Sequence, residues 1–266
     1  MYLCQRELQN LAVVRLDLQQ LARVGVAQDA VHVLRHAPDD VATLRVRRPL
    51  HNPIFLPIIG EEGVDDIAVP KFPVAETYAQ ALEAITALSG GGHPYKTLAI
   101  DSTSALERVI FKHCCEVNAW NNIEALGYGK GYEEAARVWD ELTRALDYLR
   151  KERGIGCILI GHVRVRSFND PLSAPYDHYE WDINQRAASL LTKWADGILF
   201  ARMKSYTTEE GKRGNTKTHA VGSGERCLYT QERPSHPGGG RGAYGHTPYE
   251  LPLDYAAWAK AVADAH

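Results

Sequence analysis

The residues best placed to do chemistry are Asp101 and Ser102, which close the short apolar run Leu98, Ala99 and Ile100 in the segment YKTLAIDSTS. Such a run reads as a strand buried on both faces, the kind found in parallel sheets, and ligands of open α/β sheets bind beyond the carboxyl ends of the strands. A carboxylate beside a hydroxyl at that edge suits Mg2+ held next to a nucleotide's phosphates, because this ion takes one or two carboxylates plus substrate oxygens. The plain alternative is a helix N-cap, with Asp101 or Ser102 capping a helix over residues 103–120. Two further strands end in functional groups: residues 53–59 (PIFLPII) before Glu61 and Glu62, and residues 157–161 (CILIG) before His162. If the three strands are neighbours in one parallel sheet, the three clusters meet at one rim, where they could polarise a water, hold Mg2+ and sense a phosphate.

Elements of the right kind surround these ends. Apolar positions at three-to-four spacing predict helices over residues 75–88, 103–120, 133–153 and 183–194, alternating with the three strands and a fourth over 197–202. Strands alternating with helices of this length predict βαβ units and a mostly parallel sheet. One or two antiparallel strands follow to about Leu228, and residues 234–252 read as Gly/Pro-rich loop. Residues 1–50 differ in texture, rich in Leu, Val and Arg and devoid of Lys, with a helical look over 6–21 and 28–35. The expected organisation is therefore an atypical N-terminal segment over 1–50, helical or poorly ordered, a core over 51–233, and a loop and tail over 234–266.

Composition narrows the class. A chain of 266 residues with 45% apolar and 24% charged residues is an ordinary globule able to bury a sizeable core. No apolar run approaches the roughly 20 residues needed to cross a bilayer, and no secretory signal is visible, so a cytoplasmic location with no membrane partner is expected. Cys4, Cys114, Cys115, Cys157 and Cys227 show no metal-site spacing and are expected as reduced thiols. A net charge of −3 excludes a globally basic nucleic-acid binder, leaving local patches. Residues 202–241 hold eight Lys/Arg against four acids, a pattern that a solvated loop face also produces. In residues 163–181, Arg164 and Arg166 could neutralise phosphates while Phe168, Tyr176, Tyr179 and Trp181 offer stacking faces for single-stranded DNA. The alternative there is aromatics that tuck the loop onto the core.

A phosphate-wrapping loop of the form G-x-x-x-x-G-K-[ST] is absent from the chain. Residues 90–97 (GGGHPYKT) lead into a strand instead of following one, which reads as a helix stop. Residues 127–132 (GYGKGY) share only the glycine content.

The segments PIFLPI, EEGVDDIAVPKFP, YKTLAIDSTSALER, IEALGYGKGYEEA, CILIGHVRVRSFNDP, PYDHYEWD, LLTKWADGILFA and GERCLYTQERP, in that order, resemble the phage-encoded RecA-like ATP-binding proteins of the AAA/RecA superfamily. The resemblance spans roughly residues 52–234. It implies an α/β fold, a RecA-like P-loop NTPase core with a mostly parallel sheet flanked by helices and antiparallel strands near the C-terminus. It also implies ATP and Mg2+ as cofactors, single-stranded DNA and a single-strand-binding protein as partners, self-assembly into a ring or filament, and a role in phage DNA recombination by single-strand annealing. By position, Asp101 resembles the Walker B aspartate that holds the metal, with Ser102 beside it. Glu61 resembles the water-activating glutamate, with Glu62 the alternative because Ile58 and Ile59 are extra residues before it. His162 resembles the γ-phosphate sensor, and residues 163–181 the DNA-contacting loop. Near residues 237–244 (PGGGRGAY), where relatives place a lysine implied to act across a subunit boundary, only Arg241 is basic. Relatives carry the phosphate loop just upstream of residue 53; here residues 1–50 offer only Gly25 and no Lys-Ser or Lys-Thr pair. A missing loop lysine removes several kcal/mol of charge stabilisation at a phosphoryl oxygen. Two explanations fit: a degenerate relative that holds nucleotide weakly or not at all, or a first segment that is not the native beginning of the gene, through a wrong start or a shifted reading frame.

Overall fold

A computed structural model describes residues 29–35, 52–61, 63, 68–171, 174–210 and 217–265. Its elements, in chain order, are β1 (Asp29–Arg35), β2 (Pro53–Pro57), α1 (Tyr78–Ser89), β3 (Thr97–Asp101), α2 (Thr103–Asn118), α3 (Lys130–Arg153), β4 (Gly156–Phe168) and β5 (Tyr176–Trp181). There follow α4 (Gln185–Trp194), β6 (Gly197–Glu210), β7 (Lys217–Tyr229), the two-residue β8 (Gly239–Gly240), a 3-10 turn (Gly242–His246), β9 (Glu250–Pro252) and α5 (Tyr255–Asp264). The sheet runs β2-β3-β4-β1-β6-β7-β9, with β5 added to β4 and β8 to β6.

Strands β2, β3 and β4 are parallel neighbours, in register from Pro53 opposite Thr97 and Thr97 opposite Gly156. Alternate side chains of these strands leave by opposite faces, and both faces are covered. Ile54, Leu56, Leu98, Ile100, Cys157 and Leu159 pack under the helices α1 to α4, among Leu106, Ile110, Trp139, Leu142 and Leu146. On the other face Phe55, Ala99, Ile158 and Ile160 pack with Leu199, Leu228, Tyr244, Trp258 and Val262. This double burial explains the unbroken apolar runs that marked the strands.

The central strand departs from expectation. Residues 28–35 look helical in sequence, but Asp29–Arg35 is a strand, antiparallel to β4 and β6. The slot between two strands needs a partner for every backbone group, and Val31 and Val33 suit the extended conformation there. Because Ala30 faces His162 and Arg35 faces Cys157, the chain leaves β1 at the edge opposite the carboxyl ends of β2, β3 and β4. The predicted helix over residues 6–21 lies outside the described residues.

Elsewhere the sequence pattern holds with shifted ends. Thr77 caps α1 in a reciprocal arrangement with Gln80, and Gly90 to Gly92 stop that helix, with Gly91 and Gly92 at positive φ. The glycines of GYGKGY serve backbone shape: Gly127 and Gly129 have φ of 64° and 72°, and a Cβ on Gly131 would meet the Ile123 carbonyl at 1.8 Å. Strand β4 does not stop at residue 161 but continues to Phe168. The loop expected over residues 163–181 is instead a β-hairpin, with Val163 opposite Trp181 and Phe168 opposite Tyr176. The tail is more ordered than a loop, since α5 buries Trp258 and Val262. Cys114, Cys115, Cys157 and Cys227 are not joined in disulfides.

Candidate functional site

Strand β3 delivers Asp101 to the carboxyl rim and helix α2 starts two residues later, so Ser102 both ends a strand and caps a helix. Its hydroxyl accepts the Ala105 N–H at 3.2 Å and donates to Glu61 Oε1 at 2.7 Å. The cap and the site are one residue, and the two sequence-level alternatives are both realised. Glu61 reaches this point through a tight turn after β2, in which the Glu61 N–H donates to the Ile58 carbonyl and Gly60 has a φ of 90°. His162 arrives from β4 and places Nε2 2.9 Å from the same Glu61 oxygen. Arg108, on α2, approaches that oxygen to 4.0 Å from the solvent side. Glu61, Asp101, Ser102 and His162 therefore share one rim; Glu62 lies outside the described residues.

The electrostatics separate the two carboxylates. Burial pushes Glu61 up, but the His162 hydrogen bond and charge, the Ser102 hydroxyl and Arg108 outweigh it and hold Glu61 below the usual carboxylate range. Asp101 is 1% exposed, and burial, reinforced by the charge of Glu61 and opposed by His162, pushes its carboxyl up to about 7. Both Asp101 oxygens lack a hydrogen-bond partner among the described residues, as do the buried hydroxyls of Thr103 and Ser104 that follow it. A buried carboxylate without donors is costly unless a cation completes it. The Asp101–Ser102 pair thus fits a divalent ion such as Mg2+, with Asp101 as ligand. The peptide bond between them is cis.

The hairpin of β4 and β5 stands just beyond this rim. Directly opposed residues share a face, so Arg164, Arg166 and Phe168 lie with Glu180, His178 and Tyr176. Phe168 stacks on His178 at 5.3 Å and tilts against Tyr176 at 5.5 Å, and it is 42% exposed. Arg164 donates to Glu180 at 2.8 Å and lies 3.4 Å from Asp182. Tyr179 belongs to the opposite face, where it packs against Phe200 at 5.2 Å under the Arg202 guanidinium. Trp181, expected as a stacking face, is 5% exposed and cannot offer its ring to a ligand. The two-residue period of the strand separates these aromatics from Phe168 and Tyr176.

Arg241 sits elsewhere. Its N–H donates to the Asp196 carbonyl, its guanidinium reaches the Lys193 carbonyl and Asp196, and the neighbouring Gly240 pairs with Gly197 at the start of β6. That is the edge of the sheet opposite Asp101 within the same chain.

Sequence reasoning missed Glu107. Its carboxylate is 7% exposed and accepts the Asn184 N–H with both oxygens at 2.8 Å, anchoring the first residue of α4's cap to α2. Burial pushes this carboxyl up to about 7, against the Asn184 bond and the nearby Arg164. The signal was present: Glu107 falls on the buried helical stripe of Thr103, Leu106 and Ile110.

The three-layer α/β arrangement, with ligand groups at the carboxyl rim of parallel strands, is consistent with a P-loop NTPase fold. The model of the AAA domain family matches residues 43–242, three quarters of the chain, and the protein belongs to that family. Members typically bind ATP with Mg2+. No curated protein and no solved structure matches the chain. Among the described residues no strand runs into a glycine-rich loop and helix of the kind that wraps phosphates, and the C-terminal end of β1 points away from the rim. The residues present fit the metal better than they fit a triphosphate. Among the described residues no helix is long and apolar enough to cross a membrane.

Proposed function

We propose that this AAA-domain protein is a RecA-like ATP-binding protein of phage DNA recombination, acting in single-strand annealing. Asp101 and Ser102 hold Mg2+, Glu61 orients water, His162 reports the phosphate, and the β4–β5 hairpin contacts single-stranded DNA through Arg164, Arg166, Phe168 and Tyr176. The observation that carries the reading is the meeting of Glu61, Ser102 and His162 on one oxygen beside the donor-free Asp101. Residues carried by three strands far apart in the chain converge there, as a site demands and a helix cap alone does not. Self-assembly into a ring or filament, with Arg241 on the far edge facing a neighbouring copy, belongs to the same proposal.

The test is ATP turnover with Mg2+, with and without single-stranded DNA, beside fluorescence binding of a labelled nucleotide. Turnover, or Mg2+-dependent nucleotide binding, that Asp101→Ala lowers at least about a hundredfold supports the proposal. A second reading, a catalytically silent module that binds single-stranded DNA or a protein, is favoured by the antiparallel β1 and the missing phosphate loop. DNA binding with no measurable nucleotide affinity would select it.

A further inference from the structure

On the exposed face of the hairpin, three nitrogen groups converge on one carboxylate. Arg164 Nε donates to Glu180 Oε1 at 2.8 Å, Arg166 Nη1 donates to the same oxygen at 3.4 Å, and His178 Nε2 lies 3.8 Å from Oε2. Arg164 also lies 3.4 Å from Asp182 Oδ1 and reaches the Ile183 carbonyl. Burial pushes Glu180 up, but the two arginines outweigh it and hold the carboxyl below its ordinary range. Two parallel arginine donors on one oxyanion are the arrangement that receives a phosphate. Here the oxyanion is supplied by the chain itself.

We propose that Glu180 is an anion-competing residue built into the hairpin, occupying the place of a nucleic-acid phosphate and setting how tightly and how salt-dependently a single strand binds. The inference rests on the reading of this hairpin as the DNA-contacting element and deepens it. Arg164 and Arg166 are 45% and 57% exposed, so a phosphate can approach them, in competition with Glu180 and, for Arg164, Asp182. Two cations facing two acids leave the face almost neutral, which lowers the electrostatic part of the affinity. Phe168 and Tyr176, at the outer end of the same face, then carry a larger share of the contact by stacking on bases.

The experiment is fluorescence anisotropy of a labelled oligothymidylate with the full chain over a series of salt concentrations. Glu180→Gln keeps an acceptor oxygen for Arg164 and removes the charge. It is expected to bind about fivefold tighter at low salt, with a log–log salt slope steeper by about 0.7. Asp182→Asn, which removes one of the two acids on Arg164, is expected to tighten binding about twofold. Affinity unchanged or weaker in Glu180→Gln at an unchanged melting temperature overturns the proposal. Should that variant unfold, the same result in Asp182→Asn overturns it. If wild type and the double variant Arg164→Ala, Arg166→Ala bind the oligonucleotide equally, the DNA reading of the hairpin fails and takes this inference with it.

Discussion

The rim and the hairpin use the same residue types and stand next to one another on β4, yet they handle charge in opposite ways. At the rim, Glu61 is buried and satisfied by His162 and Ser102, while Asp101 is buried and left without a donor. On the hairpin, Glu180 and Asp182 meet their arginines near the surface, where water screens each pair. A buried carboxylate raises the energy of the fold and is retained where something must be held; an exposed ion pair costs little and can be exchanged for an external anion. One strand thus carries a group committed to a fixed geometry and, two residues on, a group free to change partner.

The largest expected effect tests the buried side of this contrast. Glu107 has its folded-state pKa raised from 4.5 to about 7, so between those values the folded protein keeps a proton that the unfolded chain releases. Folding therefore loses stability as pH rises through that window, and the penalty is absent below about pH 4. Glu107→Gln keeps an acceptor for the Asn184 N–H and removes the charge. It should be more stable than wild type by about 3 kcal/mol at pH 8 and no different at pH 4, read from denaturant unfolding. Equal stability at both pH values would show that the helix α2 carboxylate is solvated after all.

A smaller effect is expected at His162. Replacing it by Ala removes the ring from Glu61 and leaves that carboxylate with Ser102 and the distant Arg108, a loss of about 1–3 kcal/mol in unfolding free energy. The matched substitution on the hairpin, Arg166→Ala, breaks an exposed pair and should cost under about 1 kcal/mol. A hairpin variant as destabilising as the rim variant would erase the distinction. The smallest change belongs to the salt response: Arg164→Ala with Arg166→Ala should flatten the slope of single-strand binding by up to about 1.4, at nearly unchanged stability.

How much of this was legible beforehand depended on the range of the interaction that fixes each feature. The run Leu98 to Ile100 and the acid–hydroxyl pair after it announce a buried strand and its end from five consecutive residues. Helices α1, α2, α3 and α4 follow from apolar spacing, because a helical stripe is read within one segment. Glu107 was missed because its neighbours on that stripe are apolar and its partner is the backbone of residue 184. The hairpin's extent was missed for another reason: Gly161 is the last residue of the buried part of β4, and the loss of apolar residues after it resembles the end of a strand.

Taken alone, the chain determined the buried runs of β2, β3 and β4, the helical faces and the rim to which Asp101 and Ser102 belong, since these depend on neighbours three or four positions away. Only the tertiary structure decided that residue 162 would complete residue 61, that β1 would run against its neighbours, and that Tyr179 and Trp181 would turn inward while Phe168 and Tyr176 turned out. Strand direction and cross-strand register are set by backbone pairing between distant segments, and a shift of one residue reverses the face of every side chain. No local pattern carries that information.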